Sequence, residues 1–153
     1  MRQRVSAGVV LVSVLFAVPL LAASSPAISG AVSGIELCPQ FICGEAVFAG
    51  AFTGTIGQKA TAGAFWTGIT HDDLPTITGE SSAITGGSWI ISARRKIYAG
   101  FVAPGGTLTY NGDNTYTVSL TMVLTSGGTG TMNFVGLLDH NEFPPTITGT
   151  ITQ

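Results

Sequence analysis

From Thr115 to Thr125 the chain reads Thr-Tyr-Thr-Val-Ser-Leu-Thr-Met-Val-Leu-Thr, and this near-strict alternation constrains the fold more than any other stretch. Side chains two apart on an extended strand share a face, so Tyr116, Val118, Leu120, Met122 and Leu124 form a buried row and the hydroxyls between them a wet one. No window after the first 23 residues carries a helical period. Asn111-Gly112-Asp113-Asn114 turns this strand back onto Thr107 to Tyr110, and Ser126-Gly127-Gly128-Thr129-Gly130 turns it forward into Thr131 to Leu138.

The same signature predicts strands over Glu45 to Phe52, Thr61 to Ile69, Thr76 to Thr85, Ser88 to Ala93, Lys96 to Val102 and Thr146 to Thr152. About nine short strands with a turn every 8 to 12 residues or so define an all-β domain, a small antiparallel barrel or, as the alternative, a sandwich. The choice between them rests on an aromatic followed two residues later by glycine, which occurs at Phe48, Phe52, Trp66, Tyr98 and Phe134. Each glycine shares a face with its aromatic and leaves room for a ring or a bend. That favours the tightly curved, closed sheet of a barrel.

The first 23 residues stand apart. Arg2 and Arg4 precede an apolar run from Val9 to Ala23, which ends in Leu21-Ala22-Ala23. This is the plan of a secretory signal peptide cut after Ala23, with Ala27 as a second cleavage point, and it predicts export to the bacterial periplasm, cell surface or medium. Ser24 to Gly34 is rich in Ser, Ala and Gly, which suits a flexible leader, so residues 24–43 are assigned to a leader and a small loop, and 44–153 to one β domain. The loop is Cys38-Pro-Gln-Phe-Ile-Cys43. Two cysteines this close in an exported chain predict one disulfide.

Loss of the signal leaves four Lys and Arg against eight Asp and Glu, moving the formal charge from −2 to −4. A sparsely charged acidic surface excludes a broad nucleic-acid interface. No cofactor-binding or catalytic motif is present, and the cysteine pair lacks the partners of a zinc set, so no metal and no cofactor is assigned.

The remaining signal is an internal repeat. His71-Asp-Asp-Leu-Pro-Thr-Ile-Thr-Gly79 returns as His140-Asn-Glu-Phe-Pro-Pro-Thr-Ile-Thr-Gly149, each after an aromatic-x-Gly triplet, Trp66 to Gly68 and Phe134 to Gly136. The second triplet stands one residue further from its histidine. Each copy reads as strand, polar loop and Pro-led strand, with Leu74 or Phe143 plugging the sheet end and both Gly68 and Gly136 needed for folding. His71, Asp72, Asp139 and His140 are the candidates for proton transfer or metal-assisted chemistry. Trp66 and Trp89 are candidates to line a ligand cavity, and Arg94 and Arg95 to grip an anion. Binding of a small apolar ligand or an extracellular partner, without catalysis, is the leading reading. An enzyme using the histidine loops and a structural or adhesive surface protein are the alternatives.

Overall fold

The computed structural model describes residues 25–153, so the expected signal peptide, residues 1–23, lies outside the described residues. Eight strands follow one another around a closed barrel: β1 (Ile28–Cys38), β2 (Ala46–Ile56), β3 (Lys59–His71), β4 (Ser81–Ala93), β5 (Lys96–Tyr110), β6 (Thr115–Ser126), β7 (Gly130–Asp139) and β8 (Thr146–Thr152). Every neighbouring pair is antiparallel, and β1 against β8 closes the ring, with Gly30 opposite Ile151 and Ile35 opposite Thr146. Closure satisfies the backbone groups that an edge strand would expose.

Alternation sorts the side chains as the chemistry of β6 requires. Tyr116, Val118, Leu120, Met122 and Leu124 are all buried, and they belong with Val32, Phe52, Phe65, Trp89, Ile91 and Ile151 to one apolar core inside the barrel. Thr117 and Ser119 face out.

Three expectations are corrected. The segment taken for a flexible leader contains β1, whose inward positions run Ile28, Gly30, Val32, Gly34 and Glu36. Its period is hidden because two inward positions are glycines. A β-carbon on Gly30 would come within 2.9 Å of the Phe52 ring, so the missing side chain is the space that the ring fills. The β domain therefore begins at Ile28 and not at residue 44. Secondly, the breaks expected near Gly86 and Gly105 are bulges inside continuous strands, where the register shifts between Ile84 and Ser88 and between Ala103 and Thr107. Bulges bend a strand without ending it, so nine expected strands become eight once β1 is added. Thirdly, Thr76 to Gly79 is a turn closed by the Glu80 amide on the Ile77 carbonyl (3.0 Å) and the Gly79 amide on the Tyr110 carbonyl (2.8 Å), whereas Thr146 to Gly149 lies in β8.

The two copies of the repeat also face different ways. Trp66 and Gly68 lie on the outer face, opposite Ile90 and Ser88, while Phe134 and Gly136 lie inside, opposite Leu120 and Val118. A one-residue slip reverses the face of a strand. Because the second triplet stands one residue further from its histidine, the slip that inverts the triplets brings both histidines to the inner side. Leu74 packs against the core as expected of a plug, but Phe143 is 99% exposed and plugs nothing.

An up-and-down meander puts alternate connections at opposite ends. The β1–β2, β3–β4, β5–β6 and β7–β8 connections form one end, hereafter the mouth. It carries all eight acidic residues: Glu36 and Glu45; Asp72, Asp73 and Glu80; Asp113; Asp139 and Glu142. The other end, the base, carries Lys59, Arg94, Arg95 and Lys96, the four cations of the described residues. Between the two ends the outer wall bears no charged side chain.

Candidate functional site

The core does not reach the mouth. There the barrel holds a cavity of about 530 Å³ whose floor and sides are Phe48, Ile69, Leu108, Val118, Leu138 and Ile147, with Ala46 leaving room for it. Glu36, Gln40, His71, Asp72, Asp73 and His140 line it as well. An apolar chamber with a few convergent polar groups is the usual form of a small-molecule site.

Each histidine is fixed through its backbone by an amide side chain. The Gln40 carboxamide accepts from the His71 amide through Oε1 (2.7 Å) and donates from Nε2 to the His71 carbonyl (2.7 Å), as a neighbouring strand would. Gln40 is in turn held in a single helical turn, α1 (Gln40–Cys43), which the Cys38–Cys43 disulfide spans with a Cα separation of 6.1 Å. Gly44 ends that turn at φ 79°, a left-handed conformation that glycine accepts without a steric penalty. On the opposite wall the His140 amide donates to the Asn114 carbonyl (3.1 Å), and Asn114 Nδ2 donates back to the His140 carbonyl (3.2 Å).

The rings are in different situations. His71 Nδ1 donates to the Asp72 carbonyl at 2.6 Å, since a carbonyl only accepts, which leaves Nε2 free to act on a ligand. His140 packs its ring 5.3 Å from that of Tyr116, and its Nε2 is buried without a hydrogen-bond partner. Burial holds the His140 imidazole below its ordinary pKa, the charge of Asp139 opposes this, and His71 adds to it. Also at the mouth, burial pushes the Glu36 carboxyl above the usual carboxylate range. The two groups are thus driven toward their neutral forms, one a hydrogen-bond donor and the other able to accept.

The remaining sequence candidates are distributed. Asp139 spends its carboxylate on its own loop, accepting from the Asn141 amide (2.8 Å) and side chain (2.9 Å). Asp72 is exposed at the rim. Trp66 is on the outer wall, and Trp89 is fully buried in the core with its indole N–H unpartnered. Arg94 and Arg95 are at the base, beside a second depression of about 720 Å³. Among the described residues no three of His, Cys, Asp and Glu gather as a metal site. Glu36 and Gln40 escaped sequence reasoning. The signal for Glu36 is a carboxylate on the inward register of β1, which is legible only once β1 is recognised as a strand.

Comparison with protein-family models, with curated proteins and with solved structures finds no match. The fold and the site define a closed eight-stranded antiparallel barrel with a histidine-bearing apolar mouth.

Proposed function

We propose that this is an exported binding protein that takes a small, largely apolar ligand into the barrel mouth and orients its polar end with Glu36, His71 and His140. The observation that carries this reading is the cavity of about 530 Å³, walled by apolar side chains and edged by polar ones. His140 Nε2 supports it further, because a buried nitrogen without a partner costs free energy that a ligand hydroxyl would recover. The disulfide fits an oxidising compartment, and no helix of the described residues is long and apolar enough to cross a membrane.

The test is calorimetric titration of the purified protein with medium-chain fatty alcohols. One alcohol should bind per barrel, and Ala46→Leu, which intrudes on the chamber without removing a packing contact, should bind at least about tenfold more weakly. Equal binding by parent and variant would remove the cavity from consideration.

A second reading is proton-transfer catalysis, favoured by the opposite displacements of Glu36 and His140. A protonated carboxyl can give a proton and a neutral imidazole can take one, so the two groups supply one acid and one base. Deuterium uptake by an enolisable ketone in heavy water separates the two. Uptake by the parent that disappears in Glu36→Gln and His140→Gln would favour the enzyme, and none above the uncatalysed rate would reject it.

A further inference from the structure

The axial separation of charge leads to an interaction surface. Soluble proteins commonly devote about a quarter or more of their surface to interspersed charges of both signs. Here the wall has none, all eight acids ring the mouth, and the four described cations ring the base. Scatter of this kind of residue over eight strands would not by itself sort every acid to one end and every described base to the other.

The two ends also differ in relief. At the mouth, Phe41 on α1 and Phe143 on the β7–β8 loop stand 87% and 99% exposed beside the acids. At the base, the depression of about 720 Å³ has Pro26, Ile56 and Tyr98 within it and Lys59, Arg95 and Lys96 around it. Apolar projections framed by negative charge thus face, on the same molecule, an apolar hollow framed by positive charge. The complement of each end is the other end, so the contact it suits joins unlike surfaces and leaves both outer ends free to repeat it.

We infer that the occupant of the base is the mouth of a second copy of this chain, giving head-to-tail stacks along the barrel axis. Attraction between the ends acts over a distance set by salt, about 30 Å at 0.01 M and 10 Å at 0.1 M, so stacking belongs to low ionic strength and fades as salt is raised. The uncharged wall adds no repulsion between molecules standing side by side. This inference is independent of the ligand reading, although a stacked neighbour would cover the mouth.

Sedimentation velocity of the purified protein, at about 0.01 M and about 0.3 M salt, gives the first measurement. The sedimentation coefficient should grow with concentration at low salt and revert to that of a monomer at high salt. Two variants decide the geometry. Arg95→Glu with Lys96→Glu cancels the net charge of the base and leaves the mouth intact; Glu80→Lys with Glu142→Lys halves the net charge of the mouth and leaves the base intact. All four side chains are exposed, and a circular-dichroism spectrum matching the parent's confirms that each variant folds. Each variant alone should associate at least about tenfold more weakly than the parent, whereas an equimolar mixture should recover association, since the first variant keeps an intact mouth and the second an intact base. A parent that stays monomeric at low salt, or a mixture that fails to pair, overturns the inference. A parent that stays monomeric yet sediments with vesicles of anionic phospholipid, and loses that binding with Arg95→Glu and Lys96→Glu, also overturns it and assigns the base to a lipid surface.

Discussion

At the scale of single residues, glycines that look alike in the sequence do different work. A β-carbon on Gly136 would meet the Thr148 carbonyl and come within 2.6 Å of the Phe134 ring, and one on Gly149, directly across, would come within 2.5 Å of the same ring. Phe134 lies over this glycine pair, and neither backbone nor buried ring can withdraw. The atoms nearest a β-carbon on Gly68 are those of the Glu45 carboxylate, the free end of a flexible side chain. Gly136→Ala should therefore cost about 2 to 3 kcal/mol in urea denaturation and Gly68→Ala less than about 1 kcal/mol. Equal losses would mean that the inward and outward placements of the two triplets are wrong. In the sequence these glycines are equivalent, because a repeat shows letters and not faces. The single residue by which the copies slip was visible, but its meaning depended on strand pairing.

At the scale of elements, the short turn α1 links the disulfide to the site. Cys38 and Cys43 close the loop, the loop holds Gln40, and Gln40 holds the backbone of His71 from both sides. Gln40→Ala removes both bonds and leaves the barrel strands untouched. The expected outcome is a shift of the His71 amide resonance and faster hydrogen exchange at that amide, with the denaturation midpoint changed by about 1 to 2 kcal/mol at most. Unchanged exchange at His71 would show that β3 holds its own end. How legible each element was follows from its side chains. β6 could be read directly because large residues alternate with small hydroxyls. β1 could not, because Gly30 and Gly34 occupy inward positions, the first with its volume supplied by the Phe52 ring of β2 and the second pressed against the β2 backbone, and a one-dimensional pattern does not show borrowed volume. The alternation of Thr-Ile-Thr-Gly predicts a strand in both copies. Only the second copy has a strand partner on each side; the first folds into a rim turn against Tyr110. The convergence of both histidine loops on one cavity likewise required the strand count, since an even number of strands between them puts them at the same end.

For the whole molecule, the two displaced groups at the mouth give stability opposite responses to pH. His140 is held below its ordinary pKa, so the stability tied to its neutral form is present above about 6.5 and is lost as pH falls through the lower folded value. Glu36 is held above its ordinary pKa, so the stability tied to its protonated form is present below about 4.3 and is lost as pH rises through the higher folded value. Urea midpoints between pH 4 and 7.5 or so should show Glu36→Gln gaining on the parent toward neutrality, and His140→Gln losing less than the parent on acidification. Parallel curves for parent and variants would mean that the mouth is fully hydrated. The closure of the barrel has a mechanical side as well. β1 begins and β8 finishes at the base, where the Ile28 amide donates to Gln153 Oε1 at 3.0 Å, and among the described residues the two strands form the only ladder whose members are not consecutive in the chain. A force pulling these two strands apart from the base loads that ladder from one end, and its bonds yield singly, as a zip opens, before any other ladder is strained. Tension between the tip at Gly57 and the rim at Gly44 runs along β2 instead, so the bonds to β1 and β3 on either side bear it together in shear. The barrel is weak along one seam and stiff along its staves.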